Sequence, residues 1–420
     1  MNERLLQYIW QFQHFNKSSL STTDDELLAI IQPGLLNHNQ GPDFLSAKIR
    51  LGNTTWAGSI ELHVYSSQWD AHGHSADNNY NNVILHVVWQ HDADLALPFP
   101  TLTLQDRVSK FLLQRYDELM IEQGFIPCEK SIGLVNGISM RSWQERLLVE
   151  RLLSRSEHIF AQLEKNNHHW EEVFWWMLAR NFGARVNSSA FEAMARSLPL
   201  TVIARHKHQV LQIEALLFGQ AGLLGKNFTE AYPKMLQREY RFLKKKYQLQ
   251  QAFEPLHFLK MRPSNFPTLR LAQLAMLIHN SQHLFSTIKE LGTVREARQL
   301  FSISANDYWH YHYVFDEGSA YREKNLGRQM ADNLLVNTVV PIIFAYGHYM
   351  KDDTYRLRAL NWLEELDAEK NAITNGFAKL GLPNKNAFDS QSFIQLKNEY
   401  CNQKRCLECA VGNKLLKADL

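Results

Sequence analysis

Cysteine is scarce in this chain, with four residues in 420 positions. So few thiols exclude a fold held together by many disulfides, as in small secreted domains. The first residues, Met1 to Leu6, lack the basic and then apolar order of a signal peptide. No uninterrupted apolar run reaches the length of a bilayer span. We therefore expect a soluble protein of the cytoplasm that does not bind membranes.

Several catalytic signatures are missing as well. The sequence contains no Gly-x-Ser-x-Gly turn and no set of protein-kinase motifs. The glycines within residues 218–223 have neither P-loop nor dinucleotide-binding spacing. The chemistry of the protein must therefore come from other residue patterns.

The length and the charge distribution suggest an acidic part followed by a basic part. A chain of 420 residues exceeds one ordinary hydrophobic core, so two or three domains are expected. Residues 1–130 carry 8 Lys and Arg against 15 Asp and Glu, whereas the remainder carries 37 against 28. This division suits a metal-dependent enzyme acting on a phosphate polymer, with nucleic acid as the partner. It equally suits a helical body that is basic for solubility alone.

Hydrophobic periodicity predicts a small sheet near the N-terminus. The spacing predicts an amphipathic helix over residues 3–15 and a short helix that opens at residues 24–26. Apolar and polar residues alternate over 45–51 and again, after a Gly-Asn turn, over 54–65, which is typical of a hairpin. Residues 83–89 are apolar on both faces, as in a central strand.

Helical periodicity dominates from Phe111 onward, and residues 124–137 have the composition of a linker. We therefore predict an α+β fold with two domains. A small mixed sheet with flanking helices occupies residues 1–123, and a large all-α domain with a C-terminal cysteine cluster occupies 138–420. Pro341 is expected to kink or split the helix in which it lies.

The predicted sheet carries an unusual density of polar side chains, two carboxylates and four histidines within 44 residues: Asp43, Glu61, His63, His72, His74 and His86. Packing alone does not require them. Glu61 and His63 face away from the apolar side of their strand. Asp43 shares the parity of apolar Leu45 and Ala47, so it must precede the strand or lie beside a bulge.

The order Pro42-Asp43, hairpin, Glu61-Leu62-His63 resembles the core of the PD-(D/E)xK nucleases. The resemblance covers about the first quarter of the chain and implies a restriction-endonuclease-like fold. It also implies that Asp43 and Glu61 bind Mg²⁺ or Mn²⁺, which polarises a phosphate and lowers the pKa of the attacking water. His63 stands where Lys is expected and would take its catalytic role, and His86 would support these residues by hydrogen bonding.

A second interpretation assigns the metal to the histidines. His72 and His74 follow Glu61 and His63 directly, and imidazole with carboxylate suits zinc, manganese or non-haem iron. Either loop histidine taken alone is more typical of a surface residue. His86 lies inside an apolar strand and needs a partner for its ring nitrogens, for which Asp43 and Glu61 are the candidates.

The cysteines form a second candidate cofactor site. Cys401, Cys406 and Cys409 have the spacing of the first three ligands of a plant-type iron–sulfur loop, and Cys128 would be a remote fourth. Four thiolates equally suit structural zinc, and free thiols on a C-terminal helix are the third possibility. Some PD-(D/E)xK nucleases join one early and three late cysteines, but there the early cysteine precedes the nuclease core.

Phrases along nearly the whole chain resemble one family of bacterial proteins of unknown function: Gly41–Phe44, Gly58–His63, Trp69 with His72 and His74, Leu85–Val88, Glu214–Gly222, Arg262–Pro267 and the terminal cysteines. This resemblance implies a soluble bacterial protein and supplies no activity. The sequence therefore leaves three hypotheses: a metal-dependent nuclease that hydrolyses phosphodiesters, a different histidine and carboxylate metal hydrolase, and a non-catalytic helical scaffold or nucleic-acid-binding protein.

Overall fold

A computed structural model describes residues 1–251, 254–259, 261–281 and 283–417. The chain forms two compact units, one of Met1–Trp143 with Leu396–Leu420 and the other of Gln144–Gln395. The fold is α+β, with a small mixed sheet in the first unit and helices in both.

The sheet has six strands: β1 (Leu28–Gln32), β2 (Leu35–Leu36), β3 (Phe44–Leu51), β4 (Thr54–Tyr65), β5 (Val83–Gln90) and β6 (Thr101–Thr103). The order is β1-β3-β4-β5-β6, and β2 also pairs with β3. The pairs on β3 are antiparallel, whereas β4 with β5 and β5 with β6 are parallel. The helices α1 (Glu3–Gln11), α2 (Gln68–Ala71) and α3 (Lys110–Ile121) belong to this unit.

The predicted strands at residues 45–51, 54–65 and 83–89 are confirmed as β3, β4 and β5. The short helix predicted after residues 24–26 is wrong, because Leu28–Gln32 forms β1. Its Ile30 pairs with Ile49 of β3. A partner strand that is distant in the sequence therefore overrides the local helical spacing.

The middle of β4 is buried from Gly58 to His63. Helices α1 and α2 both pack against this strand. At Gly58 a Cβ atom would lie 2.4 Å from the Asn82 carbonyl oxygen and 2.5 Å from Cγ2 of Ile84. Only glycine therefore allows the start of β5 to approach β4 this closely. The resulting parallel register sets Glu61 opposite His86.

The second unit is helical and has an extensive apolar core. Its elements are α4 (Gly137–Lys165, which begins in the first unit), α5 (Trp170–Phe182), α6 (Ala184–Arg196), α7 (Leu200–His206), α8 (Val210–Gln220), α9 (Ala231–Tyr247), α10 (Pro267–Asn280), α11 (Leu284–Glu290), α12 (Val294–Leu300), α13 (Asp307–His310), β7 (His312–Val314), β8 (Glu317–Gly318), α14 (Arg328–Leu334), α15 (Val340–Met350), α16 (Asp353–Glu365), α17 (Ala372–Lys379) and α18 (Ala387–Gln395). The β7–β8 hairpin departs from the predicted all-α composition.

Pro341 lies in the first turn of α15, directly after a π-helical turn at Leu335–Val339. The α-helical hydrogen-bond pattern changes to this π-helical turn just before the proline, which has no N–H to donate, and Arg328–Met350 continues as one helix. Within the described residues, Arg328–Met350 is the one helix long and apolar enough to cross a membrane, and 78% of its apolar window is buried inside the protein. Its apolar composition thus serves the core of the second unit.

The C-terminal segment consists of a π-helical turn at Leu396–Cys401 and helix α19 (Ala410–Lys417). The predicted domain 138–420 included this segment, whereas the structure groups it with the sheet-bearing unit. Helix α19 packs against α3, and the Lys414 ammonium donates to Ser139 Oγ at 3.0 Å. These contacts join residues that are far apart in the chain. Hydrophobic periodicity, which is a local pattern, does not predict them.

Candidate metal centre

The structure brings the six polar side chains of the predicted site into one cluster. Asp43 immediately precedes β3, Glu61 and His63 lie on β4, and His86 lies on β5. The two loop histidines, His72 and His74, come from the connection between β4 and β5, which contains α2. A parallel pair of strands requires such a crossover, and here the crossover carries the loop histidines to the strand residues.

The two carboxylates are tied to each other through the backbone. The Asp43 N–H donates to Glu61 Oε2, and the Leu62 N–H donates to Asp43 Oδ2, both at 3.0 Å. The Gln7 side chain on α1 donates to Asp43 Oδ1 at 2.8 Å. Both oxygens of Asp43 therefore accept protein hydrogen bonds. The second oxygen of Glu61, Oε1, is directed toward the histidines, 3.6 Å from His63 Nε2 and 3.4 Å from His74 Nε2.

The histidines form a chain through His63. Its Nδ1 lies 2.8 Å from His86 Nε2, and its Nε2 lies 3.1 Å from His72 Nδ1. The partner of His86 is thus another histidine and not a carboxylate, contrary to the sequence prediction. Which of these nitrogens donates a hydrogen bond and which accepts it depends on the tautomer of each ring. A proton on His63 Nδ1, donated to His86, leaves His63 Nε2 free to bind a metal ion.

Three of these histidines have the spacing of metal ligands. One ring nitrogen each of His63, His72 and His74 lies within 4.8 Å of the others. A tetrahedral ion with bonds of about 2.0–2.2 Å holds neighbouring ligand atoms about 3.3–3.6 Å apart. The distances of 3.1, 3.4 and 3.6 Å among these nitrogens and Glu61 Oε1 fall close to that range. The donor set is three imidazoles and one carboxylate.

Residues 3–372 of the chain match a family model described as "Protein of unknown function (DUF2851)". The chain belongs to the DUF2851 family. The predicted whole-chain resemblance is confirmed, and the matched segment contains every residue of the metal centre as well as Cys128. The cysteines at 401, 406 and 409 lie beyond it. No curated protein and no solved structure matches the chain.

Aromatic rings enclose the histidines of this DUF2851 protein. The Trp69 ring packs edge-on against His74 and His86, with centroids 5.2 and 5.4 Å apart. Tyr80 stacks on His74 at 3.9 Å, and Trp69 Nε1 donates to Ser75 Oγ at 2.9 Å. Sequence reasoning assigned no role in the site to Gln7, Trp69 or Tyr80. A tryptophan among the polar residues 66–79 is a weak sequence signal for a role of Trp69. Nothing in the sequence indicates a role for Gln7 or Tyr80.

Burial controls the charges of the site. It lowers the pKa of His63 to about 3 and that of His86 to about 4, and the neighbouring imidazoles act in the same direction. These rings are therefore neutral near pH 7, as metal ligation requires. Burial raises the pKa of Glu61 and of Asp43, and for Glu61 the charge of Asp43 adds to the effect. A bound cation would oppose this increase by favouring the charged carboxylates.

Two buried nitrogens of the cluster lack partners. In the part of the chain that the structure describes, neither His74 Nε2 nor His86 Nδ1 has a hydrogen-bond partner. Leaving a buried polar atom unsatisfied costs about 1–3 kcal/mol. A cation next to His74 Nε2 would satisfy one of them, so the donor set fits a bound divalent ion.

The four cysteines lie together elsewhere in the first unit, around a separate small cavity. None of the six residues of the metal centre lines that cavity. The structure therefore contains two distinct groups of potential ligands, one of histidines with a carboxylate and one of thiols.

Proposed function

We propose that this DUF2851 protein is a metal-dependent hydrolase whose divalent ion is held by His63, His72, His74 and Glu61. The observation that carries the proposal is that one ring nitrogen each of His63, His72 and His74 lies within 4.8 Å of the others, with Glu61 Oε1 3.6 Å from His63 Nε2 and 3.4 Å from His74 Nε2. Imidazole-rich sites favour zinc, manganese or iron over magnesium. When bound, such an ion polarises the scissile group and lowers the pKa of water.

The remaining residues of the cluster position these ligands. The Asp43 N–H holds Glu61 by its Oε2, which keeps Oε1 directed at His63 and His74. His86 fixes the ring of His63 through Nδ1, and Tyr80 fixes the plane of His74 by stacking. Replacing a residue that orients a ligand in this way typically lowers metal affinity by about 10- to 100-fold.

A nuclease of the PD-(D/E)xK type is the second candidate. It is favoured by the order of elements, in which α1, the β3–β4 hairpin, a connection with a short helix and β5 follow the order of that core. It is also favoured by the hydrogen bonds that join Asp43 to the Glu61 strand. In this candidate the two carboxylates hold Mg²⁺ or Mn²⁺, the fold is restriction-endonuclease-like, and cytoplasmic nucleic acid is the substrate.

Metal titration followed by a hydrolysis assay tests the proposal. Purified protein is titrated with Zn²⁺, Mn²⁺ and Mg²⁺, and each form is assayed on DNA, RNA and chromogenic phosphodiesters and esters. We expect one Zn²⁺ or Mn²⁺ per chain, metal-dependent turnover and loss of both in His72→Ala. His38→Ala is the matched control, because His38 is also an exposed histidine of the first unit.

The results separate the three hypotheses. Mg²⁺-dependent cleavage of nucleic acid that survives His72→Ala but not Asp43→Ala would favour the nuclease arrangement. Metal binding without turnover on any substrate would favour a structural ion in a non-catalytic protein. Absence of metal binding in the unmodified chain would contradict both enzyme candidates.

A further inference from the structure

Four cysteines converge on one cavity from two distant segments. Cys128 follows α3, Cys401 ends the π-helical turn at 396–401, and Cys406 and Cys409 lie between this turn and α19. The cavity is lined by these thiols and by four neighbours: Pro127, Tyr400, Arg405 and Gly412. Every cysteine is free, and all except the half-buried Cys401 are buried. The chain contains no other cysteine, so all of its thiols lie at one place.

The spacing of the sulfurs argues against a single bound ion. Four thiolates around zinc, with bonds of about 2.3 Å, would stand about 3.8 Å apart. Among the described residues, only the three histidines form a group of three or more ligands within 4.8 Å of one another, so no three of these sulfurs do. In an iron–sulfur cluster the thiolates bind different irons of a multi-atom group, which spreads them farther apart. The small cavity lies among these sulfurs.

Hydrogen-bond donors of the backbone surround the Cys409 sulfur. The N–H groups of Val411 and Gly412 are directed at it. Hydrogen bonds to the ligand sulfurs are one of the means by which proteins tune iron–sulfur clusters. A Cβ at Gly412 would lie 2.1 Å from the Cys406 carbonyl oxygen, so glycine is required for this turn.

Positive charge accompanies the thiols. Lys397 lies close enough to Cys401, and Lys404 close enough to Cys406, to interact with these sulfurs electrostatically. Arg405 lines the cavity directly. Four thiolates around a cluster form an anionic group, and buried negative charge needs compensating cations or hydrogen-bond donors.

We propose that Cys128, Cys401, Cys406 and Cys409 ligate one iron–sulfur cluster. The cluster joins the segment after α3 to the C-terminal segment, whose first cysteine is 273 positions after Cys128. Binding of this kind adds to folding stability, because the unfolded chain does not present the four ligands together. The proposal is independent of the histidine centre, since the two ligand sets share no residue.

Analysis of iron and acid-labile sulfide tests this proposal. The full chain is purified anaerobically and reconstituted with ferrous iron and sulfide before both are measured. We expect iron and sulfide in equal amounts and a visible absorption that bleaches on reduction. Cys406→Ser and Cys128→Ser should each lose most of the iron. His72→Ala is the matched control, which removes a ligand of the other site and should keep the full content of acid-labile sulfide.

Four results would overturn the proposal. The first three are the absence of iron and sulfide from the reconstituted unmodified chain, the binding of zinc to the cysteines with no iron, and full iron and sulfide content in Cys406→Ser. The measurement on the unmodified chain decides the matter even if a serine variant fails to fold. The fourth is loss of sulfide in His72→Ala alone, which would assign the cluster to the histidine centre.

Discussion

The two carboxylate oxygens of Glu61 have different neighbours. Oε2 accepts the Asp43 N–H, whereas Oε1 faces His63 and His74. The order Pro42-Asp43, hairpin, Glu61-Leu62-His63 and its resemblance to the PD-(D/E)xK core predicted that Glu61 and Asp43 belong to one site. Strand parity does not predict that both oxygens of Asp43 accept hydrogen bonds, because the donors are the Gln7 side chain and the Leu62 N–H. The structure therefore shifts the proposed ligand set from the carboxylate pair toward the histidines.

Replacing Asp43 distinguishes a supporting carboxylate from a ligand. Asp43→Asn removes the negative charge beside Glu61 but keeps the backbone N–H that holds it. We therefore expect Zn²⁺ or Mn²⁺ affinity to fall by about 10- to 100-fold, as for other residues that support a ligand. Glu61→Gln should lose considerably more, because it removes the charge at Oε1. Isothermal titration of both variants measures the difference. Equal losses in the two variants would identify Asp43 as a direct ligand.

The buried Glu214 on α8 should make the stability of the folded protein depend on pH. Its carboxylate accepts a hydrogen bond from Tyr232 at 2.7 Å, and a short one from Asn306. Burial nevertheless raises the pKa of Glu214 to about 8. The folded state therefore keeps a proton that the unfolded chain releases above its ordinary pKa of about 4.3. Its stabilising effect is complete below that value and is lost as the pH rises through about 8.

We expect the free energy of unfolding to fall between pH 5.5 and 8.5, by about 3 kcal/mol from this group. Urea denaturation followed by tryptophan fluorescence measures the change. Trp309, which donates to Glu214, lies in the same unit. Glu214→Gln cannot titrate, so its decrease should be smaller. The same pH dependence in both proteins would show that Glu214 is ionised in the folded state.

The strands of the sheet differ in how well the sequence predicts them. β3, β4 and β5 follow from alternation, turn residues and an apolar run, and the requirement that Asp43 precede its strand or lie beside a bulge is met. Asp43 comes just before β3, and the register with β4 shifts between Phe44 and Ala47, where Ser46 has a φ of 58°. β1 was mistaken for a helix, because only its pairing with β3 makes it a strand.

Gly58 tests how strongly the contact between β4 and β5 supports the site. Gly58→Ala would force the methyl group against the Asn82 carbonyl oxygen and Ile84, at a cost of about 1–3 kcal/mol in unfolding free energy. Chemical denaturation measures this loss. Gly137→Ala is the control, because a Cβ there meets nothing within 4 Å. Equal stability of the two variants would mean that the strands separate without strain.

In the described part of the chain, two groups of candidate ligands lie in the unit that combines the N-terminal residues with the C-terminal segment. The sequence predicted both groups by residue type and spacing. It did not predict that residues 396–417 belong to this unit and not to the helical domain, because the contacts of α19 with α3 and of Lys414 with Ser139 are long-range. Local periodicity identifies elements, whereas the assignment of elements to a unit depends on such contacts.

Metal binding should stabilise the folded chain. An ion that binds only the folded state at 100 times its Kd adds about 2.7 kcal/mol. We expect Zn²⁺ to raise the melting temperature of the chelator-treated protein and a chelator to reverse the increase. His72→Ala should show no such increase, whereas His38→Ala should behave like the unmodified protein. An equal increase in His72→Ala would place the stabilising ion at another site, such as the cysteines.

Anomalous diffraction from a zinc- or manganese-soaked crystal is the most direct test of the histidine centre. We predict one strong peak within about 2.0–2.2 Å of Nε2 of His63, Nδ1 of His72, a ring nitrogen of His74 and Oε1 of Glu61. A peak between Asp43 and Glu61 that does not touch the histidines would contradict this assignment and support the carboxylate pair. Absence of any peak near Glu61 would contradict the metal centre altogether.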